Sequence, residues 1–285
     1  MDLLNLDAQV CAFIRPEDGA NVGLLHAEGG LLLIDTASSP AEIIHLLMAV
    51  DAQPQQVRQV INTHVHSDHT WGNQLFACPI LAHCLCLERM RLNLQEEWSE
   101  GEFQAYLAEL EQTNPQKAIQ FRQTLEGLQI KLPDQVFEQQ VNSEFSGLKY
   151  EVIHMGGHTP DSAIVWLPEL GILFASDLIF QGRYPYLYDA DIPEWIAALH
   201  RLREYPAQAI VPGHGVRCTT ADIDYLINYL QETWDRVAEH IRLGHRLEET
   251  VADPDFPFFA ASKYEKLHRA NIQYMYQQFI AGLAE

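Results

Sequence analysis

The chain has 285 residues, 47% hydrophobic and 20% charged, with 39 acidic against 18 basic side chains and a formal net charge of −21. That length suits one large domain with a full core, or a domain with a helical appendage. So acidic a surface repels phosphate backbones and anionic headgroups, so neither nucleic acid nor a membrane surface is expected as a partner.

The opening stretch Met1 to Asp7 lacks the basic region and apolar run of a secretory signal, and no later stretch approaches the ~20 apolar residues of a membrane span. With an odd count of five cysteines (Cys11, Cys78, Cys84, Cys86 and Cys218), this leads to the expectation of reduced thiols in a cytoplasmic protein. Cys84-Leu85-Cys86 beside His83 matches no usual zinc spacing and reads as buried thiols.

Residues 8–15 and 20–35 read as strands, with a hairpin turn at Ala27-Glu28-Gly29-Gly30. Asp35 after the second apolar run is either a turn residue or an acceptor that orients a neighbouring loop. Ser39-Pro40 opens an amphipathic helix to about Val50, Ser39 as cap and Pro40 at the first position. A strand at 57–62, a short helix from Trp71 to Phe76 and a strand at 79–82 follow. Residues 84–130, rich in Glu, Gln, Leu and Arg, read as an insertion of two or three helices broken at Pro115. It is expected either to lie over a pocket or to make a homodimer contact. Strands return at 136–154, 162–167 and 171–175, then a helix from Pro193 to Leu202 and a strand at Ala209-Ile210-Val211. From Thr219 onward the chain reads as helical, interrupted by Pro254 and Pro257. This order suits two sheets packed face to face with helices outside.

Chemistry concentrates in residues 62–73, where His64, His66, Asp68 and His69 fall within six positions directly after a buried strand. Imidazole nitrogen and carboxylate oxygen are zinc ligands. Residues two apart in an extended segment point the same way, so His64 and His66 can grip one ion. Asp68 and His69, past the bend, can face a second. Three later loops each bring one candidate: His158 in Gly-Gly-His-Thr-Pro-Asp-Ser, Asp177 where an apolar strand ends on a carboxylate, and His214 in Pro-Gly-His-Gly. A carboxylate in a buried strand is costly unless paired or bound to metal.

His-Val-His-Ser-Asp-His, Gly-Gly-His-Thr-Pro-Asp-Ser, Ala-Ser-Asp and Pro-Gly-His-Gly, in that order over roughly residues 10–218, resemble the metallo-β-lactamase superfamily. The resemblance implies an α/β fold, an αββα sandwich of two mixed β-sheets flanked by helices, with the site at one edge. It implies a catalytic domain over 1–218 with the helical insertion at about 84–130, and a helical C-terminal extension over 219–285. It also implies two Zn2+ ions per chain, or iron or manganese in their place. His64, His66 and His158 would hold one, Asp68, His69 and His214 the other, and Asp177 would bridge them.

Residues 158–168 and Asp189-Ala190-Asp191 with Trp195 resemble true β-lactamases. Asp177 stands where those have a cysteine, and Phe180 where they have a lysine. The ligand set instead resembles glyoxalase II-like hydrolases. The expected function is hydrolysis of a small-molecule ester, thioester, lactone or amide, with Asp68 orienting the nucleophile and shuttling a proton. Arg183, Tyr184 and Tyr186 are candidate substrate contacts at the pocket mouth. Three alternatives remain: β-lactam hydrolysis, an iron-dependent oxidoreductase on the same fold, and a non-catalytic signalling protein acting through the 84–130 helices.

Overall fold

The computed structural model describes residues 2–15, 19–257 and 265–282. Strands β1 (Asp2–Asn5), β2 (Val10–Ile14), β3 (Val22–Ala27) and β4 (Gly30–Ile34) form an antiparallel meander. Helix α1 (Pro40–Met48) leads to β5 (Val57–Ile61), and the short α2 (Ser67–Thr70) to β6 (Ile80–His83). The insertion is α3 (Cys84–Asn93), α4 (Glu100–Thr113) and α5 (Pro115–Leu125). Next come β7 (Gln135–Phe137), β8 (Gln140–Phe145), β9 (Leu148–His154), β10 (Ala163–Leu167) and β11 (Ile172–Phe180). The rest is α6 (Ile192–Arg203), β12 (Ala209–His214), α7 (Thr220–Arg242), α8 (Leu247–Val251) and α9 (Glu265–Gly282).

The strands make two mixed sheets, one ordered β1 to β7 along the chain and one ordered β12-β11-β10-β9-β8. Period-2 alternation divides each strand between two cores. Leu32 and Ile34 of β4 face the other sheet and meet Val165, Leu167 and Phe174 across it. Leu31 and Leu33 face outward onto Ile43, Leu46 and Leu47 of α1. On the second sheet Ile164, Trp166 and Leu173 face outward onto α6 and α7. Hence nearly every residue of β2, β10, β11 and β12 is buried, and these strands read as continuous apolar runs.

Most sequence-level expectations for the elements match, caps included. Ser39 accepts from the Glu42 amide at the start of α1, and Asn114 from the Lys117 amide at the start of α5, with Pro115 at its first position. Three differ. β1 is an edge strand, mostly exposed, with too little apolar alternation to announce itself. The strands in 136–154 split between sheets: β7 pairs with β6, whereas β8 and β9 pair with each other in the second sheet. And β11 does not stop at Asp177. It runs on to Phe180, with Ser176 in the left-handed region (φ 50°) and register shifts against β12 on either side of it. The kink lets a carboxylate sit inside a buried strand at the sheet edge. The helices after β12 share a core with the second sheet, where Tyr229, Leu230, Ile272 and Met275 pack with Ile179 and Trp195.

Candidate metal centre

The carboxyl ends of β4, β5, β9, β11 and β12 reach the same edge of the sandwich. Asp35 follows β4, the His64–His69 loop follows β5, His158 follows β9, Asp177 lies near the end of β11, and His214 ends β12. The residues singled out from four separate stretches converge there. Ligand atoms of His64, His66, His158 and Asp177 all lie within 4.8 Å of one another, as do those of Asp68, His69 and His214.

In the first group His66 Nδ1 is 3.1 Å from His64 Nε2 and 3.2 Å from His158 Nε2. Asp177 Oδ2 is 3.8 Å from His64 Nε2 and 3.5 Å from His158 Nε2. Four ligands at roughly 2.1 Å from a tetrahedral zinc stand about 3.4 Å apart, so these spacings fit one ion. In the second group Asp68 Oδ2 is 3.4 Å from His214 Nε2. Asp177 belongs to both, with Oδ1 3.1 Å from His69 Nε2 and Oδ2 3.2 Å from His214 Nε2. Yet among the described residues neither His69 Nε2 nor Asp177 Oδ1 has a hydrogen-bond partner, although both are buried. Two polar atoms in near contact with no bond aligned between them are placed as ligands of a shared cation would be.

The far side of most imidazoles is tied down, which fixes the tautomer and turns the other nitrogen inward. His69 Nδ1 donates to Asp35 Oδ2 at 2.8 Å, while the Thr63 amide donates to Asp35 Oδ1 at 2.8 Å. Asp35, left open between two readings by the sequence, is therefore the orienting acceptor, and it holds a left-handed backbone (φ 65°) to reach this position. His66 Nε2 donates to Asp189 Oδ2 at 3.0 Å, and His214 Nδ1 to the Gly19 carbonyl at 3.0 Å. His158 is held instead by apolar contact, its ring 5.0 Å from Trp195 and 5.5 Å from Phe180. Gly157 makes that approach feasible: φ is +92°, and a Cβ there would stand 2.6 Å from the Trp195 Cα. A Cβ at Gly213 would collide with Asp177 Oδ1.

Burial, then His69, pulls His64 well below its ordinary pKa, and burial followed by His66 and His69 takes His158 down to about 3. Both rings are thus neutral, the form that binds metal. Burial works against the charge on Asp177, but His214 and His69 hold it well below the usual carboxylate range. Burial likewise opposes a charge on His69, yet Asp177, Asp35 and Asp68 outweigh it and hold that imidazole well above its ordinary value. The carboxylates around His69 thus favour a positive charge among them, which a bound metal ion would supply. The donor set, the two neutral imidazoles of His64 and His158 with His66 and a shared carboxylate, beside two further imidazoles and a second carboxylate, suits borderline-soft cations.

The cluster opens onto a cleft of about 600 Å³. Asp68 lines it, as do Arg183, Tyr184 and Tyr186. Their placements differ. Tyr184 is only 4% exposed, its ring stacked 4.8 Å from His268. Tyr186 sits at the rim, 44% exposed, with its ring 5.9 Å from that of His66. Burial and Asp189 push its phenol up to about 12, so it stays a hydrogen-bond donor.

A family pattern described as the metallo-beta-lactamase superfamily matches residues 15–214. The chain belongs to the metallo-β-lactamase superfamily. It is 27% identical over 199 residues to "Metallo-beta-lactamase type 2" of Bacillus cereus, a match covering 67% of this chain and 65% of that protein. The chain thus spans slightly less than two thirds of that relative's length. A metallo-beta-lactamase from Pontibacter korlensis has a similar fold at 22% identity, with a TM-score of 0.62 over 81% of this chain and 98% of the other. A stereoselective inverting sec-alkylsulfatase from Pseudomonas sp. superposes with a TM-score of 0.75 at 16% identity, over 97% of this chain and half of the other. Among the described residues no helix is long and apolar enough to cross a membrane.

Within this superfamily fold, sequence reasoning missed part of the cleft wall. Asp189 was legible only through the Asp189-Ala190-Asp191 resemblance, yet it holds His66 and stands 3.8 Å from Arg89 of the insertion. Asn93, Glu97 and Trp98, from the end of α3 and the turn after it, line the cleft. No pattern of residue types marks them; they become visible only when the insertion folds beside the site.

Proposed function

We propose that this superfamily member is a dinuclear zinc hydrolase acting on a small ester, thioester, lactone or amide. The observation that carries the reading is Asp177, a buried carboxylate within 3.2 Å of a nitrogen from His214 and 3.1 Å of one from His69 while also facing His64 and His158. When bound, two such cations supply a hydroxide nucleophile near neutral pH and polarise the substrate carbonyl oxygen. His64, His66 and His158 would hold one ion, and Asp68, His69 and His214 the other, with Asp177 between them. Asp68, only partly buried and facing the cleft, is placed to orient the nucleophile and to take up and return its proton. The Tyr186 phenol, kept protonated, is a donor for charge developing on a substrate oxygen. Arg183 in the cleft wall suits a substrate carboxylate.

A second reading, β-lactam ring hydrolysis, is favoured by the 27% identity to the Bacillus cereus protein. Against it, Phe180 lays its ring flat on His214 at 5.0 Å, so this position of β11 offers no cation for a drug carboxylate. The test is metal analysis of protein purified without added metal, followed by a panel of an aryl ester, a thioester, a lactone, a β-lactam, an alkyl sulfate and a phosphodiester on the zinc-loaded protein. About two zinc ions per chain with carboxylic ester or thioester turnover is the expected result. One iron per chain with oxygen uptake would replace hydrolysis by an oxidoreductase, and turnover of the phosphodiester alone would overturn the substrate class.

A further inference from the structure

The loop between β11 and α6, residues 181–191, has no regular secondary structure, yet it supplies Arg183, Tyr186, Tyr188 and Asp189 to the cleft wall. A loop holds side chains in register only where something holds the loop. Here α9 does so, from beyond residue 214, where the match to the superfamily pattern ends. Asn271 of α9, 2% exposed, donates from Nδ2 to the Pro185 carbonyl at 2.9 Å. The Tyr274 hydroxyl donates to the Ala190 carbonyl at 2.9 Å, and Gln278 Nε2 donates to the same oxygen at 2.8 Å. These three side chains recur at helical spacing and so share one face of α9. The two carbonyls bracket one short segment: Pro185 directly precedes Tyr186, and Ala190 directly follows Asp189. Both Pro185 and Ala190 are buried, where a carbonyl without a partner is costly, so the bonds fix the backbone on either side. Inside the bracket the Tyr186 ring stands 5.9 Å from that of His66, and Asp189 accepts from His66 Nε2 at 3.0 Å. Packing α9 onto the core needs only apolar contacts such as Ile272 and Met275. It does not call for three polar side chains aimed at this loop.

We infer that Asn271, Tyr274 and Gln278 are positioning residues for the metal centre, a clamp that sets the Tyr186 phenol at the cleft and the Asp189 carboxylate on His66. Its two jaws act on different groups. Tyr274 and Gln278 act through Asp189 on the orientation of His66, and so on the ion of the first group. Asn271 acts through Tyr186 on the stabilisation of charge developing on the substrate. The Tyr186 jaw rests on the hydrolase reading, whereas the Asp189 jaw rests on the metal site alone. The C-terminal helix is thereby part of the catalytic unit and not an appendage to it.

The test of the first jaw uses the full chain and zinc alone. The paired variant Tyr274→Phe/Gln278→Leu removes both donors to the Ala190 carbonyl. In competition with a chromophoric chelator, one of the two zinc dissociation constants is expected to rise about three- to tenfold while the other stays unchanged. In an Asp189→Ala background the pair should add nothing, because its effect travels through that carboxylate. Ile272→Val, a core change on the same helix, should lower the thermal midpoint and leave both affinities alone. Where circular dichroism shows that the pair has lost the parental fold, Tyr274→Phe alone is read in the same way. Weakening of both ions or of neither, full additivity with Asp189→Ala, or the same selective loss in Ile272→Val overturns the assignment. For the second jaw, Asn271→Leu, or Asn271→Ser where the leucine variant does not fold, should lower kcat/KM for an aryl ester about fivefold. In a Tyr186→Phe background that loss should disappear, and an additive loss overturns this half. A parent that binds both ions but turns over no substrate of the panel refutes the hydrolase reading and the Tyr186 jaw with it, while the zinc affinities still decide the Asp189 jaw.

Discussion

The two ligand groups at the sheet edge are supported in opposite ways. His158 and His64, in the first, are neutral because burial makes them so, and among the described residues the outer nitrogen of His158 has no hydrogen-bond partner, its ring lying against Trp195 and Phe180. His69, in the second, is clamped between the carboxylates of Asp35 and Asp177, and Asp68 lies on its cleft side. Two ligands of the first group thus present preformed lone pairs, while at His66 the bond to Asp189 outweighs burial and holds the imidazole above its ordinary value. The second holds an excess of negative charge that demands a cation of some kind. Geometry supports the first and electrostatics the second, and Asp177 faces both.

That contrast breaks most completely at Asp177. Asp177→Ala removes the carboxylate from both groups and is expected to lower hydrolysis on the order of 10³-fold, with loss of both ions measured by elemental analysis. Asp35→Asn is narrower. Asparagine tolerates the left-handed backbone, but its amide replaces one of the two oxygens that receive the His69 Nδ1 and Thr63 bonds. A loss of roughly 10- to 100-fold in activity or in affinity for one ion is expected. The dialysed variant should keep the ion of the first group and shed that of the second, so equal loss from both would end the contrast. Trp98→Ala touches neither group. It should raise KM about fivefold at nearly constant kcat, with metal content unchanged.

The sequence made the candidate ligands legible because their chemistry is local: a histidine or aspartate at the end of an apolar strand, beside glycines, is an unusual combination wherever it stands. Asp177 was found even though its strand continues to Phe180, since residue type carried more information than the element boundary. The residues that support the ligands were harder to read. Asp35 belongs to the β4 end and reaches across to Thr63 and His69, so only the sheet order makes it a partner. Asn93 and Trp98 lie in a helical segment whose composition announces helix and nothing more. Their contribution depends on the position of α3 against β6 and β7, a long-range packing outcome. The transfer of the chain from β7 in one sheet to β8 in the other was equally invisible, because β7 is only three residues long and β8 is largely exposed, so neither carries a pattern that assigns it to a sheet.

The smallest effect expected concerns a carboxyl that takes no part in either group. Asp161 is 2% exposed, and its Oδ2 has no hydrogen-bond partner among the described residues. Burial raises its pKa, and Thr159, His66 and Cys86 offset that only in part. The folded protein therefore holds this proton more tightly than the unfolded chain does. Below the unfolded value of about 4 both states are protonated and Asp161 carries no penalty. As pH rises through the window up to the folded value, the unfolded chain releases its proton first and stability is lost. Asp161→Asn keeps the shape and removes the ionisation. In protein stripped by chelator, so that ion release plays no part, the thermal midpoint of the variant should match the parent near pH 4, exceed it as pH rises above that, and level off once the folded value is passed. A midpoint difference that stays flat across that range would mean that Asp161 is paired in solution, and that the ground beneath His158 is less apolar than the aromatic contacts around it indicate.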